Sequence, residues 1–157
     1  NTREKEKIMK IDKLDLNGKK NSIEVLDNIF SSYQDHIQIQ KKLIGAYSSF
    51  YSYPLYMNDT DSRNLLLEKL KDDYELICAY GYANPTPLYQ CVNALIDPKK
   101  YGKGFAYQER TYPPGTSPNA EDLLSRSFLI PFNENYSIAE TREIGERVTN
   151  AIDELFS

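Results

Sequence analysis

Apolar residues at Ile23, Leu26, Phe30, Tyr33, Ile37, Ile44 and Tyr47 recur mostly at steps of three and four, which places them on one helix face, with Gln40 the single break. Asn21-Ser22-Ile23-Glu24 opens that stretch: Asn21 offers a cap, and Glu24 is placed to reach back to the cap amide. The pattern predicts one helix from about 21 to 50, long enough to bridge two bodies or lie along a partner; a break near Gly45 is the alternative. Tyr51-Ser52-Tyr53-Pro54-Leu55-Tyr56-Met57 is short and rich in β-formers, and Pro54 marks an edge strand or a strand start. Asn58 to Asp61 supplies several caps for a helix with Leu65, Leu66, Leu67 and Leu70 on its apolar side. Tyr74 to Tyr80 reads as a second strand, with Leu76, Cys78 and Tyr80 on one face and Ile77 and Ala79 on the other.

Residues 81 to 118 carry glycines and prolines throughout and read as loop. Loops of that length inside compact domains tend to be functional or disordered. This one also holds Tyr82, Tyr89, Tyr101, Phe105, Tyr107 and Tyr112, and that aromatic content predicts an ordered loop packed on something. The pattern then becomes regular again. Asn119 to Arg126 reads as a short helix and Ser127 to Pro131 as a third strand stopped by proline. Ser137-Ile138-Ala139-Glu140 is a capping box, followed by a helix with Ile138, Ile144, Val148, Ile152 and Leu155 on one stripe. Residues 1–20 hold seven basic and four acidic side chains, and Ile8, Ile11, Leu14 and Leu16 show no period. They read as a solvated tail or lead-in, and the absence of an initiator Met fits a domain or a fragment. The order of elements predicts an α+β fold: a small sheet with helices packed on one face. The expected organisation is a lead-in over 1–20, a long connecting helix over 21–50 and a small α+β domain over 51–157.

Composition narrows the function classes. With 157 residues, 40% hydrophobic and 27% charged, the chain has the size and balance of one globular domain. A formal net charge of −4 argues against a nucleic-acid partner. No apolar run reaches the ~18–20 residues of a membrane span, and a cytoplasmic location is the default. Cys78 lies in an apolar run and reads as a buried thiol, with a disulfide to Cys91 the lesser alternative. Two cysteines and the single His36 do not make a zinc site. His36 reads as a surface residue in mid-helix rather than a catalytic base. Gly102-Lys103-Gly104 is too short for a phosphate loop, and the pair Glu121-Asp122 is accounted for by the dipole at a helix start. No free-standing active site emerges. Eleven of the thirteen tyrosines fall between 47 and 112. Tyr suits binding surfaces through its apolar body and polar tip. Tyr51, Tyr53 and Tyr56 read mainly as packing residues, whereas Tyr82 and Tyr89 are candidates for contact with a ligand or a subunit.

The order of these motifs resembles the C-terminal part of the DegT/StrS family of pyridoxal-phosphate-dependent sugar aminotransferases. Gly18-Lys19-Lys20-Asn21-Ser22 is similar to that family's Gly-x-Asn turn into a connecting helix, without the arginine usual there. Gln40 to Phe50 resembles the tyrosine-bearing end of that helix, and Arg63, Leu66 and Leu70 match an Arg-x-x-Leu-x-x-x-Leu helix. Tyr80-Gly81-Tyr82-Ala83-Asn84-Pro85-Thr86-Pro87-Leu88-Tyr89 resembles the family's aromatic and proline loop. Ser117-Pro118-Asn119-Ala120-Glu121 is similar to its Cys-Pro-x-Ala-Glu, with Ser117 in place of cysteine, and Ile130-Pro131 and Ser137 to Phe156 follow as the strand end and final helix.

The resemblance implies the small domain of such an enzyme. It implies pyridoxal phosphate in the full-length protein, held as a lysine Schiff base by an N-terminal catalytic domain, with no cofactor on this chain alone. It also implies a homodimer and a keto-sugar nucleotide substrate, with this part closing over the site. By position, Tyr82 and Tyr89 would stand nearest the substrate, and the 99–115 loop would touch the nucleotide. No residue of this chain is assigned a catalytic or metal-binding role. A non-catalytic protein-binding or scaffolding module with an aminotransferase-like fold is the alternative, and an unrelated small α+β ligand-binding domain is a third reading.

Overall fold

The computed structural model describes residues 21–41, 52–79, 87–97, 111–132 and 135–157. Residues 21–30 form helix α1, which tightens into a 3-10 turn over Ser31–Tyr33. Strand β1 (Ile37–Ile39) follows. Strand β2 (Tyr53–Met57) leads into helix α2 (Thr60–Tyr74). Two single helical turns, α3 (Leu88–Cys91) and α4 (Asn93–Ile96), precede helix α5 (Pro118–Ser125), strand β3 (Ser127–Ile130) and helix α6 (Ile138–Phe156).

The strands form one antiparallel sheet in the order β1-β2-β3. Ile37 pairs with Met57 and Ile39 with Leu55; Tyr53 pairs with Ile130 and Leu55 with Phe128. Because side chains alternate along a strand, this register puts Ile37, Tyr53, Leu55, Met57, Phe128 and Ile130 on one face, and all six are buried. Three helices cover that face: α1 through Ile23, Leu26 and Phe30, α2 through Leu66 and Leu70, and α6 through Val148, Ala151 and Ile152. The expected α+β layering is therefore observed.

The caps behave as their sequences predict. Asp59 accepts the Ser62 amide at the start of α2. At the start of α6, Ser137 and Glu140 satisfy each other's backbone amides in a complete capping box. Arg63, Leu66 and Leu70 are all buried on α2, and Arg63 reaches the Ser127 carbonyl at the head of β3. Gly145 lets α1 and α6 approach closely, since a Cβ there would stand 2.8 Å from the Ile29 side chain.

Several expectations are corrected. The helix predicted over 21–50 is not continuous. Helical residues end at 30, Tyr33 and His36 close a turn, and Ile37-Gln38-Ile39 is strand. Ile37 fits the helical stripe but also fits a two-residue alternation with Ile39, and β-branched residues with a sheet partner favour the strand. The alternative break near Gly45 lies outside the described residues. Asn21, expected as a cap, is itself helical. His36 sits in the turn and stacks on Phe156 of α6, with ring centroids 5.7 Å apart. Pro54 is near a strand start as expected, but β2 is the central strand; β1 pairs only with residues 55–57, beyond the proline. The strand predicted over 74–80 reduces to one bridge, Ala79 to Leu129. Its alternation persists, with Leu76 buried and Ile77 exposed, but Tyr74 is taken by α2 and Glu75 adopts a left-handed φ of 52° that ends the helix. The predicted loop over 81–118 contains the turns α3 and α4.

Candidate functional site

The candidate site forms where α3 meets the start of α5. Pro113-Pro114-Gly115-Thr116 makes a turn closed by the Thr116 amide on the Pro113 carbonyl at 3.1 Å. Gly115 takes φ +90°, which the third position of a type II turn requires and glycine supplies without strain. Pro118 then opens α5 as a first-turn proline. These two features bring Glu121, in the first turn of α5, back over the 113–117 turn.

Glu121 is the centre of the cluster. The Gly115 amide donates to both of its oxygens, at 2.8 and 2.9 Å, and the Ser117 amide donates to Oε1 at 3.3 Å. The Tyr89 hydroxyl donates to the same oxygen. Tyr89 in turn accepts from Gln90 Nε2 at 3.2 Å and from the Ser117 amide at 3.3 Å. Hydrogen bonds to the charged form, from Tyr89 foremost and then from the Gly115 and Ser117 amides, hold the Glu121 carboxyl below the usual glutamate range. Tyr112 packs its ring 6.4 Å from that of Tyr89, and its amide donates to the Leu95 carbonyl of α4. The result is a pair of tilted rings, Tyr89 and Tyr112, of which Tyr89 is tied through its hydroxyl to a carboxylate.

Of the two tyrosines expected at the substrate, Tyr89 belongs to this cluster and Tyr82 lies outside the described residues. The hydroxyl of Tyr89 is engaged by Glu121, and its half-buried ring lies beside that of Tyr112. Tyr53 is a core residue whose hydroxyl donates to Asp27 Oδ1 at 2.6 Å, and burial pushes its phenol far above the ordinary value. Tyr56 lies on the opposite face of the sheet, and Tyr51 is outside the described residues. The role of Glu121 is larger than a helix-dipole partner. Its signal in the sequence is the Pro-Gly turn six residues before it, which aims backbone amides at the first turn of α5.

Cys78 and Cys91 are not joined in a disulfide. Cys78 is largely covered, and burial pushes its thiol up to about 12; Cys91 is exposed. Among the described residues no group of three His, Cys, Asp or Glu side chains is placed to hold a metal ion. Among the same residues no helix is long and apolar enough to cross a membrane.

No protein-family model matches the chain, and no curated protein matches it in sequence. Solved structures do match its fold. A DegT DnrJ EryC1 StrS aminotransferase from Brucella abortus aligns with a TM-score of 0.55 at 17% identity, over 84% of this chain and 30% of that one. The aminotransferase TlmJ from Streptoalloteichus hindustanus aligns with a TM-score of 0.58 at 19% identity, over 88% of this chain and 33% of that one. The resemblance carried by Arg63, Leu66, Leu70 and the Ser117 to Glu121 motif therefore holds at the level of the fold. The chain spans about a third of the length of the structures it matches.

Pyridoxal phosphate needs a lysine amine free to form a Schiff base, donors for its phosphate and an acidic partner for its ring nitrogen. The described lysines do not fit that role. Lys69 is 2.7 Å from Asp73 and 2.6 Å from Glu154, and both bonds raise its pKa and keep it protonated. Lys71 is on the surface beside Asp72, and Lys41 is exposed after β1. No step through the cofactor is assigned to these residues.

Proposed function

We propose that this chain is the small, C-terminal domain of a pyridoxal-phosphate-dependent aminotransferase acting on a keto-sugar nucleotide, and that it is catalytically silent by itself. The observation that carries this is the fold shared with two aminotransferases over more than four-fifths of this chain and only about a third of theirs. In the complete enzyme the cofactor belongs to a larger N-terminal domain, the protein is a homodimer, and the small domain closes over the site. The Tyr89–Tyr112 pair is the part of this domain proposed to face substrate, together with Tyr82, seven residues before Tyr89 in the sequence. Aromatic rings held rigidly in this way suit a sugar ring or a base, because they offer apolar area at little entropic cost.

The test mixes the 157-residue chain with pyridoxal phosphate, reduces with borohydride and maps modified lysines by mass spectrometry. Only scattered, substoichiometric labelling is expected. Stoichiometric labelling of one lysine, with an aldimine absorbance band, would show that the chain holds the cofactor and would overturn its silence. The alternative, a scaffolding module, predicts a stable complex with an unrelated protein and none with an aminotransferase catalytic domain.

A further inference from the structure

Helix α5 carries Glu121, yet it buries none of its eight residues, and neither of its leucines, Leu123 and Leu124, joins the apolar core. The apolar burial that fixes α1, α2 and α6 against the sheet is therefore missing here. Polar bonds hold α5 instead, and they sit at its two ends. At the start, Glu121 accepts from the Tyr89 hydroxyl and from the Gly115 and Ser117 amides. At the other end, a second set ties the helix to the junction of β2 and α2. The Met57 amide donates to the Arg126 carbonyl at 2.9 Å, and Arg126 Nη1 donates back to the Met57 carbonyl at 2.8 Å. Arg126 Nε donates to Asp122 Oδ2 at 3.1 Å. The Thr60 hydroxyl donates to Ser125 Oγ at 3.0 Å, and Ser125 Oγ donates to the Asp122 carbonyl at 2.8 Å.

Arg126 has one prong on α5 and the other on β2. Its side chain is 17% exposed, whereas that of Asp122 is 66% exposed, so the shielded bond to the Met57 carbonyl is the stronger prong. The guanidinium is planar, which fixes the directions of Nε and Nη1 relative to each other. Meeting Asp122 and Met57 at once therefore sets the rotation of α5 on the sheet. Asp122 is the next residue after Glu121, so a rotation that breaks the Arg126 bonds also moves Glu121 off the Gly115 amide. The molecule uses the same fork again at Arg147, which donates Nη2 to Glu143, four residues earlier, at 2.6 Å and Nη1 to the Tyr74 carbonyl at 2.9 Å. Arg147 lies on α6, whose Val148, Ala151 and Ile152 are buried, so packing already fixes that helix.

We infer that Arg126 is a positioning residue for the candidate site: through Asp122 and the Met57 carbonyl it sets the pose of α5, and with it the place of Glu121 and of the Tyr89 ring that Glu121 holds. Its bearing on substrate rests on the aminotransferase reading. Its hold on α5 does not, because that needs neither the cofactor nor another domain.

The test follows the Glu121 carboxyl carbon and the Gly115 amide by NMR through a pH titration of the labelled 157-residue chain. Arg126→Met removes both prongs. The Glu121 midpoint is expected to rise toward the ordinary glutamate value, and the Gly115 amide to shift toward the position of an unbonded amide. Arg126→Lys keeps the positive charge and loses the fixed fork, and it is expected to raise the midpoint as well. Arg147→Met is expected to lower Tm and to leave both Glu121 and Gly115 in place. An unmoved Glu121 in Arg126→Met would overturn the proposal. So would an unaltered titration in Arg126→Lys, which would reduce the residue to its charge, or an equal rise in Arg147→Met, which would reduce the effect to general loss of stability. If Arg126→Met does not fold, Arg126→Lys decides by the same readout. Borohydride mapping of lysines tests the aminotransferase reading separately: a cofactor-bearing lysine within this chain would overturn its silence and leave the role of Arg126 untouched.

Discussion

Tyr89 donates its hydroxyl to Glu121, 32 residues further along the chain, and Glu121 simultaneously accepts the Gly115 and Ser117 amides. One carboxylate thereby ties a helical turn, a Pro-Gly turn and the start of α5 into one body. Glu121→Gln keeps the shape and removes the charge together with one of the acceptor oxygens. We expect the variant to have a lower Tm and weaker amide protection at Gly115 by hydrogen exchange. An unchanged Gly115 amide would show that the carboxylate does not organise the turn.

The same carboxylate predicts a pH dependence. Its folded-state pKa is depressed, so the native state binds its proton less readily than the unfolded chain does. The stability it contributes is present above the ordinary glutamate value and is lost as pH falls through the depressed one. Asp59, Glu140 and Glu154 are lowered as well, by Ser62, by Ser137 and by Lys69 with Tyr74. Tm measured from pH 7 to pH 3 is expected to fall, and to fall less steeply in Glu121→Gln than in the unaltered chain. Parallel curves would contradict the assignment.

Leu66 is fully buried where α2 meets the sheet. Truncation to alanine removes transfer energy and leaves a cavity, and Leu66→Ala should cost about 2–5 kcal/mol. Exposed Leu65, on the other side of the same helix, should tolerate the same change within about 0.5 kcal/mol. Urea unfolding of the two variants checks the orientation of α2; equal losses would contradict it.

Ser137 caps α6, the helix that closes the core. Ser137→Ala removes the side-chain half of the capping box and should cost ~1 kcal/mol, with Asp or Thr at this position restoring most of it. Denaturation midpoints of the three variants measure this.

The two thiols should react at very different rates. Cys78 is covered and its thiol raised to about 12, so its thiolate is scarce at pH 8, while Cys91 is exposed. Iodoacetamide at pH 8 under native conditions is expected to label Cys91 first, and Cys78 only after urea is added. Equal native rates would show that the 76–79 segment is open.

The parts of the fold visible in the sequence are those that local chemistry decides. The Ser137-x-x-Glu140 box, the Arg63/Leu66/Leu70 face and the proline-terminated β3 each follow from residues within a few positions of one another. The misread parts depend on distant partners. Ile37 fits the helical stripe and also an alternation with Ile39, and only pairing with Leu55 and Met57 selects the strand. Leu76 to Ala79 alternates correctly, yet its pairing is limited to Leu129. The candidate site was half visible. Tyr89 could be singled out as an aromatic in a proline-rich loop, whereas Glu121 resembled an ordinary first-turn carboxylate until the Gly115 turn placed amides against it.

The most direct test of the central claim uses the native polypeptide that contains this sequence, captured with an antibody to α6. Borohydride reduction followed by peptide mapping locates any lysine bound to pyridoxal phosphate. The account predicts one modified lysine, in a part of the polypeptide outside these 157 residues. A modified lysine within them, or a purified native protein without any bound cofactor, would contradict it.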